Sequence, residues 1–283
     1  MRINSDFIGR KIVIATMHKK EQVIAPLFEN LLGVSCFVSD KIDTDIFGTF
    51  SGEKERLDDP LTVARKKCEL AMSLTNLEMG IASEGSFGPH PYLYFIPANE
   101  ELLYFIDKKN GIEIYERIIS TETNFSGKEI HTEEELMNFA HEVKFPSHGI
   151  IIKKSKNDLE QLRKGIVEWN ELKEAYHFFK NELGSVFAET DMRAMYKPSR
   201  MKVIESVTLK LIDKINSKCP DCNFPGFGVT GSFSGLPCEV CGLPSKSILY
   251  TVFVCLKCNH TEKKMFPLGK EKENPMYCDF CNP

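Results

Sequence analysis

No apolar run of about eighteen residues occurs anywhere in the 283-residue chain, which leaves no candidate for a membrane-spanning helix. The opening stretch MRINSDFIGRKIVIATMHKKE also lacks a continuous apolar segment of signal-peptide length. Its KIVIAT is too short for that role and reads as a buried strand, so a cytoplasmic protein with no membrane partner is expected. A basic excess is missing too: 36 Lys and Arg stand against 40 Asp and Glu, without the whole-protein footprint that nucleic acid requires. There is no low-complexity stretch, and no internal repeat outside the cysteine motifs described below. Cysteine is scarce before residue 219, where Cys36 and Cys68 stand alone among apolar neighbours and read as small core residues.

What is present is unevenly distributed. Residues 1–149 carry 16 Lys and Arg against 24 Asp and Glu, a net −8, whereas residues 150–218 are net +4 and residues 219–283 are neutral. The central segment keeps a basic face possible, which makes RNA the less expected partner rather than an excluded one. Strand and helix patterns alternate over 1–216. KIVIAT is followed by a helix over Glu21–Leu32 that closes at Gly33. Asp59 caps a second helix with Pro60 in its first position. LLYFID and IEIYERI flank an Asn110-Gly111 turn of the type I′ kind. Thr132 and Glu135 form a capping box. HGIIIKK is a further strand, a long helix is predicted over about 158–183, and a last one starts near 199. This pattern predicts an α/β or α+β mixed-sheet domain over 1–216. Residues 217–283 are too few to build a core without help.

That help is legible. Eight cysteines form four CxxC pairs: Cys219 and Cys222, Cys238 and Cys241, Cys255 and Cys258, Cys278 and Cys281. Two pairs make one tetrahedral all-thiolate zinc site, so a double zinc-ribbon-like module with two structural Zn²⁺ is predicted. The residue after each second cysteine is Asn223, Gly242, Asn259 or Asn282, types that tolerate the left-handed backbone of a tight knuckle. Sequential, cross-braced and nested pairings all fit the counts, and the strand character of ILYTVFVCLKCNHTEKKMF tilts the reading toward sequential. Closed four-cysteine sites leave no position for water, so the module reads as structural. Thiolates outweighing the metal charge disfavour a phosphate-binding surface, and a protein partner is the better expectation.

In the first domain, Glu84 in GIASEGSFGPHP reads as an acid on a small-residue loop at a strand's end. The turn before the first helix offers Lys19 and Lys20 beside free helix amides, a combination suited to anions. The stretch DTDIFGTFSGE adds Asp43, Asp45 and Glu53. Carboxylates near a basic turn suit a Mg²⁺ or Mn²⁺ ion and a phosphorylated ligand. In AETDMRAMYKPSRM, Asp191, Arg193 and Arg200 gather at a Pro-marked turn, and Arg forks suit phosphate, although an Asp191–Arg brace is the competing reading. His90 is a candidate acid/base. The cluster Arg65, Lys66 and Lys67 reads as a solvated helix face. The resulting expectation is a metal-dependent phosphohydrolase or nucleotide-binding protein with Glu84, His90 and Asp191 as catalytic candidates. Lys19, Lys20, Asp43, Asp45, Glu53, Arg193 and Arg200 would hold metal and phosphate. The alternative is a non-enzymatic zinc-ribbon protein. On this reading Glu84 and Arg193 share one cleft, and Glu84→Gln costs activity with little effect on stability.

Two resemblances accompany these readings. The order strand-AT-turn-Lys-helix, GTF, TVARKKC, strand-ASEGS over residues 11–90 is similar to the inosine-triphosphate pyrophosphatase-like superfamily. That likeness implies a Mg²⁺-bound acid at Glu84 and hydrolysis of purine nucleotides. The sequence departs from that pattern at His18, Glu21 and Thr62, where the superfamily has an asparagine, a lysine and an acid. KEQVIAP, DTDIFGTFSGE, ASEGSFGPHP, TDMRA, PSRM and CDFCNP together resemble an uncharacterised bacterial family with a domain of unknown function, a likeness that implies no activity.

Overall fold

The computed structural model describes residues 6–39 and 58–283, and the chain divides into two compact units, Met1–Ile212 and Asp213–Pro283. Among the described residues no helix is long and apolar enough to cross a membrane.

Unit 1 is built on two sheets. The first runs β2 (Ser35–Phe37), β1 (Lys11–Ala15), β3 (Met79–Pro89), β4 (Pro97–Asp107), β5 (Ile112–Ser120). Its β2, β1 and β3 are parallel and β3, β4 and β5 antiparallel. The parallel connections are α1 (Glu21–Leu32) and the segment that includes α2 (Pro60–Thr75). Both helices follow their sequence signals. Gly33 sits at φ 69° after α1, and Asp59 accepts from the amides of Leu61 and Thr62 at the start of α2. Alternation along β3 and β4 sends Ala82, Leu102, Tyr104 and Ile106 into the layer shared with Ala64, Cys68 and Met72 of α2. A Cβ on Gly80 would lie 2.7 Å from Met72 Cγ, so glycine lets α2 approach β3 closely.

The second sheet runs β6 (Gly127–Ile130), β9 (Val186–Thr190), β7 (Ile150–Lys153), β8 (Leu162–Ile166), all antiparallel. It carries α3 (Glu133–Glu142) and α4 (Trp169–Leu183), and the capping box forms as expected, with Glu135 N donating to Thr132 Oγ1 at 3.1 Å. The fifth helix, α5, spans Pro198–Asn216.

Three expectations are corrected. The helix over 158–183 is shorter: β8 occupies 162–166 and α4 starts at Trp169. Asp158 caps only a turn, accepting from Glu160 N and Gln161 N, and Gly165 at φ 74° breaks any helix there. The β4–β5 turn has a positive φ at Gly111 but not at Asn110, so it is a four-residue connection ending in a left-handed glycine rather than type I′. Finally, GIASEGSFGP is not a loop. With Met79 it forms the eleven-residue strand β3, in which Glu84 lies opposite Leu102 and Gly85 opposite Glu101.

Unit 2 contains the three-stranded antiparallel ribbon β10 (Gly228–Ser234), β11 (Ile248–Val254), β12 (Thr261–Met265).

Candidate ligand and metal sites

In unit 1, alternation on β3 and β4 puts Ser83, Gly85, Asn99 and Glu101 on the face opposite α2. Lys20, the residue preceding α1, reaches this face. It is 4% exposed, donates to Ser83 Oγ at 3.0 Å and lies 4.0 Å from Glu101 Oε2. Arg200 of α5 arrives from another side. Its Nε donates to Glu101 Oε1 at 2.6 Å, its Nη2 to Oε2 at 3.3 Å and its Nη1 to the Met192 carbonyl at 2.5 Å, and both partners of the ion pair are fully buried. A Cβ on Gly85 would collide with Arg200 Nη2 and lie 2.7 Å from Glu101 Oε1. The small residues of ASEGS therefore make room for this pair, and they do not form a flexible loop.

Lys197, absent from the sequence-based candidates, is 1% exposed. Its Nζ donates to Thr123 Oγ1 at 2.8 Å and sits 4.9 Å from the centre of the Phe87 ring, over which the Arg200 guanidinium also lies. Burial, reinforced by Arg200 and opposed by Glu101, pushes Lys197 down to about 7. Burial and Arg200 push Lys20 down to about 8 against Glu101 and Glu84. His18 is held near 4 by burial together with Lys20, Arg193 and Arg200, so it is neutral at pH 7. Asn99 is fully buried on the same face, and among the described residues neither its Oδ1 nor its Nδ2 has a hydrogen-bond partner.

The other sequence-based candidates fall as follows. Asp191 accepts from Arg193 Nε at 3.0 Å, Arg193 Nη2 at 2.6 Å and Gly165 N at 3.0 Å, which is the bracing arrangement weighed against a catalytic one. Arg193 also stacks on Tyr196. Glu84 is 2% exposed on the α2 face, where it pairs with Lys67. Arg200 crosses β3 at Gly85. Lys67 is buried and only Arg65 and Lys66 of its cluster are exposed, which corrects the reading of all three as a solvated face. Lys19 is exposed at φ 61°. His90 Nδ1 accepts from the amides of Tyr92 and Leu93 at 3.2 Å, closing its own loop. Asp43, Asp45 and Glu53 lie outside the described residues. Among the described residues, the only sets of three or more His, Cys, Asp or Glu placed to share a metal are two groups of cysteines, so no carboxylate cluster gathers around Glu84 there.

Those two groups are Cys219, Cys222, Cys255, Cys258 and Cys238, Cys241, Cys278, Cys281. The pairing is cross-braced, first knuckle with third and second with fourth, which overturns the inclination toward sequential pairing. The ribbon register is the cause. Gly228 of β10 faces Val254 of β11, so the knuckle preceding β10 meets the knuckle following β11. The second knuckle follows β10 at the opposite end. There the segment after β12 joins it through the Cys238–Glu273 bridge and the Glu239 N to Glu273 carbonyl bond of 3.0 Å.

Between knuckles, Cys219–Cys258, Cys222–Cys255, Cys238–Cys281 and Cys241–Cys278 bring their Sγ atoms to 3.6–3.9 Å. Tetrahedral Zn²⁺ with Zn–S of about 2.3 Å requires about 3.8 Å between sulfurs, so the residues fit the ion. Each knuckle closes through the amide after its second cysteine, from Asn223, Gly242, Asn259 and Asn282 to the carbonyl of the first cysteine. Asn223, Gly242 and Asn259 take positive φ as expected, whereas Asn282 does not.

A comparison with curated proteins finds no match. A family model described as Domain of unknown function (DUF6671) matches residues 67–283. The match begins inside α2 and leaves out most of the stretch that resembles the inosine-triphosphate pyrophosphatase-like superfamily. It takes in β3, the Arg200–Glu101 pair and both cysteine sets, and the chain belongs to the DUF6671 family.

Proposed function

We propose that unit 1 binds a small phosphorylated ligand and that unit 2 holds two structural Zn²⁺. The observation that carries the first half is charge. Among the described residues, Lys20, Lys197, Arg193 and Arg200 gather beside Glu101 and Asp191, all but Arg193 almost wholly buried. Guanidinium and ammonium groups gathered this closely on one largely buried face suit recognition of a phosphate group. The N-terminal end of α1, where Lys20 sits, adds its own positive potential, and the Asn99 amide, which has no partner among the described residues, supplies donor and acceptor capacity on the same face.

This reading favours phosphate recognition over Mg²⁺-dependent hydrolysis by Glu84, because Glu84 is occupied by Lys67 on the α2 face. Calorimetry and thermal shift with inorganic phosphate, pyrophosphate, sugar phosphates and nucleoside phosphates test it, each with and without Mg²⁺. Stabilisation by at least one phosphate without Mg²⁺, weakened in Lys20→Gln, is expected. No shift with any of them refutes it.

A protein partner for unit 2 has its own support. Val240, Met276, Tyr277 and Phe280 are each at least 65% exposed, and each lies within two residues of a cysteine in the second set. Lysate capture that is lost when Phe280 and Tyr277 are changed to Ser, with zinc content unchanged, is the expected result.

A further inference from the structure

Adjoining the cationic face, to which Lys197 links it through Thr123, the β5–β6 connection, the end of α3 and the start of α5 line a half-open pocket of about 690 Å³, a volume typical of small-molecule sites. His148 and Ser199 both line it. His148 Nε2 lies 3.0 Å from Ser199 Oγ, and His148 Nδ1 lies 3.0 Å from Ser147 Oγ. The tautomer follows from the third bond of this chain. Ser147 Oγ donates its proton to the Lys144 carbonyl at 2.7 Å, so toward the imidazole it accepts, and Nδ1 carries the hydrogen. Nε2 then presents its lone pair to the Ser199 hydroxyl. This is the order of nucleophile, base and orienting group that activates a serine.

The position of Ser199 adds to this. It is the second residue of a nineteen-residue helix, after Pro198, which has no N–H. The amides of Arg200 and Met201 both bond the Lys197 carbonyl, and the Ser199 N–H has no acceptor among the described residues. A helix N-terminus with an available amide stabilises an alkoxide or an oxyanion. His148 is 7% exposed, and burial, with Lys197 and Lys144 beside it, holds it below its ordinary value, so it is a neutral base at pH 7.

We propose that Ser199, with His148 as general base and Ser147 as its positioning residue, cleaves a small carboxylic ester bound in this cavity. Ser199 Oγ bonds to the ester carbonyl carbon while its proton passes to His148 Nε2. Collapse of the tetrahedral oxyanion breaks the bond to the leaving alcohol, which takes the proton from Nε2. Water then attacks the acyl-serine with the same base and releases the acid and free Ser199. Lys144, Lys202, Glu122 and Glu142 all line the pocket, and this charge balance suits a neutral or zwitterionic ester rather than a polyanion.

The test uses the full zinc-loaded chain with a fluorophosphonate probe, mapped by peptide mass spectrometry, and with p-nitrophenyl acetate. The expected result is a single label on Ser199. Ester turnover should fall to background in Ser199→Ala and by about a hundredfold to ten-thousandfold in His148→Gln. Ser147→Ala should be slowed, and Ser147→Thr, which keeps the hydroxyl, should recover the rate. Absence of label on Ser199 in the wild-type chain, which needs no variant to fold, overturns the proposal. So does wild-type turnover no higher than that of Ser199→Ala. Failure of threonine to rescue overturns the tautomer on which the base depends.

Discussion

Glu101 is the carboxylate on which the cationic face of unit 1 depends, and Glu101→Gln is its most direct test. The substitution keeps shape and removes one charge from a site where Arg200 and Glu101 are both fully buried and bonded at 2.6 Å. Breaking a buried ion pair from one side leaves an uncompensated charge and costs about 3–5 kcal/mol. In a unit of this size each kcal/mol moves the midpoint by about 2–4 °C, so thermal unfolding should drop by about 6 to 20 °C. Lys20 and Lys197 make the loss pH-dependent. Their folded values are depressed, to about 8 and about 7, below the unfolded value of about 10.4. The unfolded chain therefore binds more protons across that window, and their burial cost is full at low pH and relieved as pH rises. The Glu101→Gln deficit should be largest near about pH 6, where both lysines carry charge, and smaller near about pH 9. Phosphate should restore more of the variant's midpoint than of the wild type's, because an anion replaces the missing carboxylate. A midpoint within about 2 °C of wild type at pH 6 would refute the reasoning.

Other outcomes follow from the same geometry. Gly85→Ala should destabilise by about 1–3 kcal/mol through overpacking on Arg200 and Glu101, whereas Gly88→Ala, with nothing within 4 Å of its new Cβ, should be near neutral in the same chemical denaturation. Glu84→Gln should lose about 3–5 kcal/mol, because it strands the buried Lys67; an unchanged denaturation midpoint would restore the sequence-based picture of a loosely held acid. Phosphate binding should take up protons near pH 8 as it raises the depressed lysines, so affinity falls with rising pH, and calorimetry in two buffers of different ionisation enthalpy measures the uptake. Cys222→Ser should lower zinc from two to one per chain and expose Cys219, Cys255 and Cys258 to alkylation while Cys238 and Cys241 stay protected. Reactivity at Cys238 and Cys241 would bring sequential pairing back.

The local signals in the chain were sufficient for local structure. Gly33, the Asp59-Pro60 cap, the Thr132–Glu135 box and the four CxxC knuckles each encode their geometry within a few residues, because a cap or a knuckle is satisfied by its own neighbours. The helix expected from about 158 does not start there because Asp158 closes a turn, and Gly165 with the pairing of β8 to β7 holds 162–166 as a strand. Glu84 stands out in the sequence because it sits among glycine and serine. Its meaning lay in tertiary contacts: the small residues clear space for Arg200 and Glu101, 99 positions apart in sequence, and alternation turns Glu84 itself to Lys67. Lys197 carried no signal, since one lysine among many shows its burial only when Phe87 and Thr123 close over it. Eight cysteines at their spacing gave four knuckles and so two four-cysteine sets, but the partner of each knuckle was set by the register of β10 on β11. Sequence separation says which thiolates come in pairs, and only the sheet says which pairs share an end.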